Sequence, residues 1–152
     1  MAKQKRIPIP KYSIAQTRNN EKKLLEKKCK IICSRICRNE WDGKCVCCGR
    51  EGSQAHHFFG WKICSNVRFD TDNLAWLCYT CHIYKVHAQG NTEPVREAII
   101  KRIGNERFED LRDRAFIPKK ITLEDMQDIY YNLLQRDEAN IYKKRKKHET
   151  IH

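Results

Sequence analysis

Apolar side chains recur along the first third of the chain at helical spacing. Leu25, Cys29, Ile32, Cys33, Ile36 and Cys37 share one stripe, and lysines and arginines crowd the other faces. This predicts a helix over 20–40. Residues 1–17, with Pro8 and Pro10 and little apolar period, read as an extended basic arm. In the middle of the chain the period changes. Ala55-His56-His57-Phe58-Phe59 has the short aromatic make-up of a strand, Gly60 opens a loop, and Asp72-Asn73-Leu74-Ala75-Trp76-Leu77 is a second extended segment. A short helix is expected to begin over Cys81 to Val86. After Gly90 the pattern is helical again. Thr92 and Pro94 start a helix through Ile99, Ile100 and Ile103 that Gly104 closes, and a further helix over 105–115 ends before Pro118. Thr122-Leu123-Glu124-Asp125 has the form of a capping box and opens a longer helix, with Met126, Ile129, Tyr130, Leu133 and Leu134 on its inner stripe. The fold class expected is α+β, with a small core of two strands and a helix and predominantly helical flanks.

The cysteines give that small core its reason to exist. Cys45-Val-Cys47-Cys48-Gly49 and Leu77-Cys78-Tyr79-Thr80-Cys81 are two C-x2-C knuckles, each presenting two thiolates from one tight turn. Cys45, Cys48, Cys78 and Cys81 complete a four-sulfur site for one structural Zn2+. Cys29, Cys33 and Cys37 place three further sulfurs on one helix face, a pattern open to a second metal, but we read them as small buried apolar residues. Cys47 and Cys64 are read as non-ligand thiols. Nine cysteines, with no apolar stretch suited to a signal peptide or membrane span, lead us to expect a reducing, cytoplasmic setting without disulfides and with no membrane partner.

Charge identifies the class of partner. The net charge of +12 points to a polyanion, nucleic acid before membrane. It is unevenly placed: residues 1–40 carry +9, residues 41–91 only +1 and residues 92–152 +2. A zinc held by four thiolates is itself a dianion, so phosphate affinity is expected from the flanks. Lys22, Lys23, Lys27, Lys28, Lys30 and the run Lys143-Lys144-Arg145-Lys146-Lys147 are the candidates for DNA binding.

What lies between the knuckles is suited to phosphodiester cleavage, which needs a general base and a divalent cation held in fixed relation. His57 is the candidate base, and His56 and His82 are the candidate ligands of a catalytic divalent metal, Mg2+ or Mn2+, with Ni2+ or Co2+ as further candidates. Neighbouring strand residues point to opposite faces, so both histidines turn inward only at a bulge or a strand end. Asn73 is expected to orient the histidine loop by hydrogen bonding. Lys85, three residues after His82, is expected on the same helical face and within reach of phosphate. His87, five residues after His82, is either a third ligand or a solvent-exposed histidine.

At these residues the chain resembles the HNH (His-Me finger, ββα-metal) endonucleases, and more closely the NinG/Rap phage recombination nucleases. The resemblance runs from about 25 to 136. It includes the helix before the first knuckle, Cys45-x2-Cys48-Gly49, His57, Arg68-Phe69, Asn73, Cys78-x2-Cys81, Lys85, the Arg102-Ile103-Gly104 helix end and the Thr122 helix start. It implies a zinc-stapled ββα-metal core that nicks branched recombination intermediates such as Holliday junctions and D-loops, in the cytoplasm of a phage-infected bacterium. His57 carries over as base and Arg68 as a DNA contact, while His56 and His82 rest on the wider HNH pattern. A homodimer would suit a two-fold junction. The organisation expected is a flexible arm over 1–19, one nuclease domain over 20–135 with its zinc-stapled core at 41–91, and a helix end with a basic tail over 136–152. Nicking of ordinary duplex by a free-standing HNH enzyme, and zinc-dependent DNA binding without catalysis, are the alternatives.

Overall fold

The computed structural model describes Ser13 to Glu149. Residues 1–12 of the expected arm and the last three residues of the expected tail lie outside the described residues.

The N-terminal helix α1 spans Ile14–Glu40, so it begins six residues before the apolar stripe foretells. A capping box accounts for the difference. The Ser13 hydroxyl accepts from Gln16 N at 3.2 Å, and the Gln16 side chain returns the bond to Ser13 N at 3.0 Å. Its buried residues are Cys29, Ile32, Cys33, Ile36 and Cys37, and the three cysteines pack as small apolar side chains. Burial raises the Cys29 thiol to about 11 and the Cys33 thiol to about 12, the protonated form of an inert core residue.

Strands β1 (Gln54–His57) and β2 (Leu74–Leu77) form an antiparallel pair in the register Gln54–Leu77, Ala55–Trp76, His56–Ala75, His57–Leu74. The register has no bulge. Every β2 residue is buried, because α1 covers one face while the second knuckle and its helix close the other. Gly52, just before β1, lies against the Trp76 ring, where a Cβ would collide with Trp76 Cδ1. The segment Cys81–Ala88 is a π-helix where the sequence leads one to expect an ordinary helix. Helices α2 (Glu93–Ile103) and α3 (Asn105–Ala115) follow as expected, and Val95, Ile99 and Phe108 face Leu77, Cys81 and Val86.

Helix α4 spans Leu123–Glu149 and is opened by reciprocal bonds between Thr122 and Asp125. It continues through the 136–149 segment expected to be a helix end and tail, so the basic run at 143–147 is helical. Arg35 with Asp137 and Lys144 with Asn39 show why: bonds from α1 brace the last turns. The two long helices run parallel, with Arg18 beside Glu124 and Gln127 beside Glu21 at one end and Asn39 beside Lys144 at the other. The structure is thus mostly helical with a small two-stranded sheet. Among the described residues no helix is long and apolar enough to cross a membrane.

A polar hub closes the end of the bundle nearest the sheet. Glu40 accepts from Arg102 at 2.7 Å and from Arg136 at 2.8 Å, and Asp72 is shared by Arg102, Arg107 and Arg136. One side chain therefore fastens α1 to α2 and α4 in a poorly solvated place. Glu40→Gln removes one of the two carboxylates and leaves Arg102 and Arg136 to share Asp72, so it is expected to cost about 2–4 kcal/mol in urea unfolding at pH 7. A midpoint within error of the parent would show that water replaces the carboxylate freely.

Candidate metal centres

The first knuckle precedes β1 and the second follows β2, so pairing of the strands brings four sulfurs together. The Sγ atoms of Cys45, Cys48, Cys78 and Cys81 all lie within 4.8 Å of one another, and Cys48 Sγ is 3.8 Å from Cys78 Sγ. Sulfurs about 2.3 Å from one tetrahedral zinc are themselves about 3.8 Å apart, so these residues fit the ion. The turns are built for it. Gly49, at φ 71°, lets its N–H return to Cys45 O at 2.8 Å, and Cys81 N donates to Cys78 Sγ at 3.4 Å. Hydrogen bonding from Arg50 lowers the Cys48 thiol to about 6, whereas burial raises that of Cys81. Four thiolates in one place need a cation, and a divalent one bound by sulfur meets that need.

A second cluster lies against the same hairpin. His56 of β1 faces the π-helix, where His82 and His87 meet it, and one nitrogen from each ring lies within 4.8 Å of the others. The π-helix is what makes this cluster. Its i→i+5 bonding, seen in Gln89 N to Tyr84 O at 3.0 Å, brings residue i+5 back beside residue i, so His87 comes round onto His82. Their Nε2 atoms are 3.1 Å apart. Two nitrogens about 2.0–2.1 Å from a shared ion would be separated by about 2.9–3.4 Å, so the pair is spaced for one metal. Gln54 Oε1 accepts from His82 Nδ1, which leaves the Nε2 lone pair turned to the cluster. His56 is buried, and burial followed by the charges of His82, His87 and His57 pushes its pKa down to about 4. Burial also lowers that of His82. Neutral imidazole is the ligand form.

The remaining residues distribute as follows. His57 is on the opposite face of β1, as strand alternation without a bulge demands, and borders a recess with Lys30, Ser34 and Trp61. Its Nε2 is 3.0 Å from the Arg68 carbonyl; as Nε2–H donates there, Nδ1 keeps its lone pair. Asn73 is fully buried. Its Oδ1 accepts from Phe59 N at 2.7 Å and its Nδ2 donates to Phe59 O at 3.0 Å, which pins the turn after His57 from both sides. Lys85 is on the same π-helix as His82, and its positive charge acts on Cys47 of the first knuckle. Arg68 donates Nε to Trp61 O at 3.1 Å and stacks its guanidinium 5.0 Å from that ring, so it braces the loop. Lys23, Lys27, Lys28 and Lys30 are exposed on α1 and Lys22 is half-buried; Lys28 lies over Tyr130 and Lys30 over Trp61. Lys143, Lys144, Arg145, Lys146 and Lys147 are exposed on the last turns of α4.

Gln54 and Arg50 are parts of these centres that the sequence reading omits. Gln54 is two residues from His56 and therefore on its face of β1, a signal present in the strand period; nothing in the sequence singles out Arg50.

A family described as Bacteriophage Lambda NinG protein matches residues 3–147. No curated protein and no solved structure matches the chain.

Purified protein is expected to carry one zinc per chain by elemental analysis. Cys78→Ser should lose that zinc and the near-ultraviolet circular dichroism of the buried Trp76, since the module gains much of its folding free energy from the metal. A zinc-free parent with the full spectrum would contradict a structural metal.

Proposed function

The chain belongs to the NinG family of phage recombination-associated proteins, and on that premise we propose that it is a metal-dependent DNA endonuclease of the HNH type, nicking branched recombination intermediates. The observation that carries the proposal is the three-histidine cluster set on a zinc-type hairpin, with a fourth histidine held by a backbone carbonyl on the other face of the same strand. Structural zinc alone would need none of these imidazoles.

His56, His82 and His87 would hold the catalytic cation, with Gln54 fixing the His82 tautomer. Such a cation supplies charge stabilisation at the scissile phosphate and its leaving oxygen. His57 Nδ1 takes a proton from water as the water oxygen bonds to phosphorus and the ester P–O bond breaks, and the leaving oxygen takes up a proton from solvent. The Arg68 carbonyl keeps the ring from turning, and Asn73 fixes the loop behind it. The opposed orientation of His56 and His57 has a use here. In-line displacement sets the incoming water and the leaving oxygen on opposite sides of phosphorus, and a phosphate across the free edge of β1 would meet the base from one side and the metal-holding residues from the other.

His57→Ala should lower cleavage of a four-way junction by about 10²–10⁴-fold while zinc content and junction binding stay near those of the parent. Cleavage of a panel of four-way, three-way and linear DNAs tests both the activity and the preference for branches. Parental turnover by the variant would remove His57 from the chemistry, and binding without cutting in Mg2+, Mn2+, Co2+ or Ni2+ would leave a zinc-dependent DNA-binding module. A cluster rich in nitrogen should be half-saturated by Mn2+ at lower concentration than by Mg2+. Equal half-saturating concentrations would count against histidine ligation.

The pH profile has a definite sign. Burial, then the charges of Arg68 and Lys30, hold the His57 pKa below the ordinary 6.5 against the Arg68 carbonyl bond, which raises it. A base must be unprotonated, and a nearby cation shifts the group further the same way. The acid limb of kcat/KM is therefore expected below pH 6.5, with activity retained as pH falls from 8 through 6.5. A limb centred above 7 would assign the base elsewhere.

A further inference from the structure

Away from the two metal centres, the polar face of α1 carries a pattern that helix packing does not explain. Positions 23, 27, 30, 34 and 38 recur at four- and three-residue steps and fall in one stripe, which reads Lys23, Lys27, Lys30, Ser34, Arg38. It extends about 22 Å along the helix, with successive members about 5–6 Å apart. Where α1 crosses the hairpin, Lys30, Ser34 and Arg38 of the stripe form one wall of a groove with two chambers that share Lys30 and Ser34, and Lys23 and Lys27 lie on the same line before it. The larger, about 650 Å³, reaches Arg38 and Ser53; the smaller, about 320 Å³, ends at His57 and Trp61. No carboxylate lines either chamber among the described residues.

The cations of this groove are not all equivalent. Arg35 borders the larger chamber, but its guanidinium is forked onto Asp137, at 2.9 and 3.1 Å from Nε to the two carboxylate oxygens, so its charge is spent inside the protein. Lys30 rests its ammonium 4.4 Å from the Trp61 ring, which aims it at the recess beside His57. Next to Arg38 in sequence, on the face of α1 turned to α4, Asn39 accepts from Lys144 at 2.9 Å in a separate recess that Asp42, Lys143 and Lys147 also border. The basic end of α4 therefore lies beside the C-terminal end of α1, on a face next to the stripe.

A regular row of cations separated by single helical turns matches a linear polyanion, since an isolated phosphate would use one position and leave the others idle. We propose that the groove between α1 and the hairpin is the track for one strand of bound DNA, whose sugar–phosphate backbone is held by Lys23, Lys27, Lys30, Ser34 and Arg38 and delivered to His57 from the α1 side. This rests on the nuclease reading of the site. It assigns contacts to Ser34 and Arg38.

The test is the salt dependence of DNA binding, followed by fluorescence anisotropy in zinc-loaded protein with no other divalent ion added. With Lys27→Gln, Lys30→Gln and Arg38→Gln combined, three phosphates are no longer neutralised, and the slope of log K against log salt should flatten by about 2.7 on duplex arms, or about 2 on a single strand. Lys101→Gln with Lys120→Gln, both exposed and outside the groove, should leave the slope unchanged. Ser34→Asp, a single substitution at the point shared by both chambers, should weaken binding at least tenfold with unaltered circular dichroism and zinc content. An unchanged slope in the triple variant, or an equal loss in the control pair, overturns the track; if the parent still cuts DNA, the nuclease reading survives. Failure of the parent to bind or cut any DNA overturns the nuclease reading and the track together.

Discussion

A hairpin of two four-residue strands does not hold itself together in water, and everything of chemical interest in this molecule is hung on one. The four-sulfur cluster is the constraint that makes it stable. Both knuckles sit at the same end of the strand pair, so closing the cluster fixes the register, and the register decides which histidine faces which side. It also starts the π-helix, because Cys81 is both its first residue and a member of the cluster. Remove the clamp and the three imidazoles lose their common address.

The helices act as a frame around this unit. Cys33 and Phe69 pack on one side of the sheet, Val95, Ile99 and Phe108 on the other, and the Glu40–Arg102–Asp72–Arg136 hub fastens the frame at the turn that leads into Asn73. That turn is therefore held twice, by ion pairs at Asp72 and by burial at Asn73. The amide of Asn73 can then hold Phe59 in place because the turn that carries it is itself pinned. Position at His57 is passed along a short rigid chain of neighbours, from hub to asparagine to loop.

Much of this was legible in the sequence because it follows from period and spacing. The helix stripes, the Thr122 cap and the gathering of the four knuckle cysteines need only local rules, and all appear where those rules put them. The extension of α1 to Ile14 was also written locally, in Ser13 and Gln16, but a capping box without an apolar stripe behind it is a weak signal. The continuation of α4 to Glu149 is not local: bonds from Asn39 and Arg35 brace a lysine-rich segment that would otherwise repel itself. The meeting of His82 with His87 was hidden for a different reason. No propensity marks a π-turn, and a spacing of five reads as a mismatch on an ordinary helix.

That turn has a consequence for how the centre can vary. A π-turn is an α-helical turn with one residue too many, so the extra residue between His82 and His87 behaves as an insertion absorbed in place, without unthreading the helix or displacing Cys81. A chain lacking it would carry its histidines four apart on an ordinary helix and arrive at the same three-ring arrangement. The cluster can therefore survive a change of length in the segment that bears it, and two sequences of unequal spacing can encode one constellation.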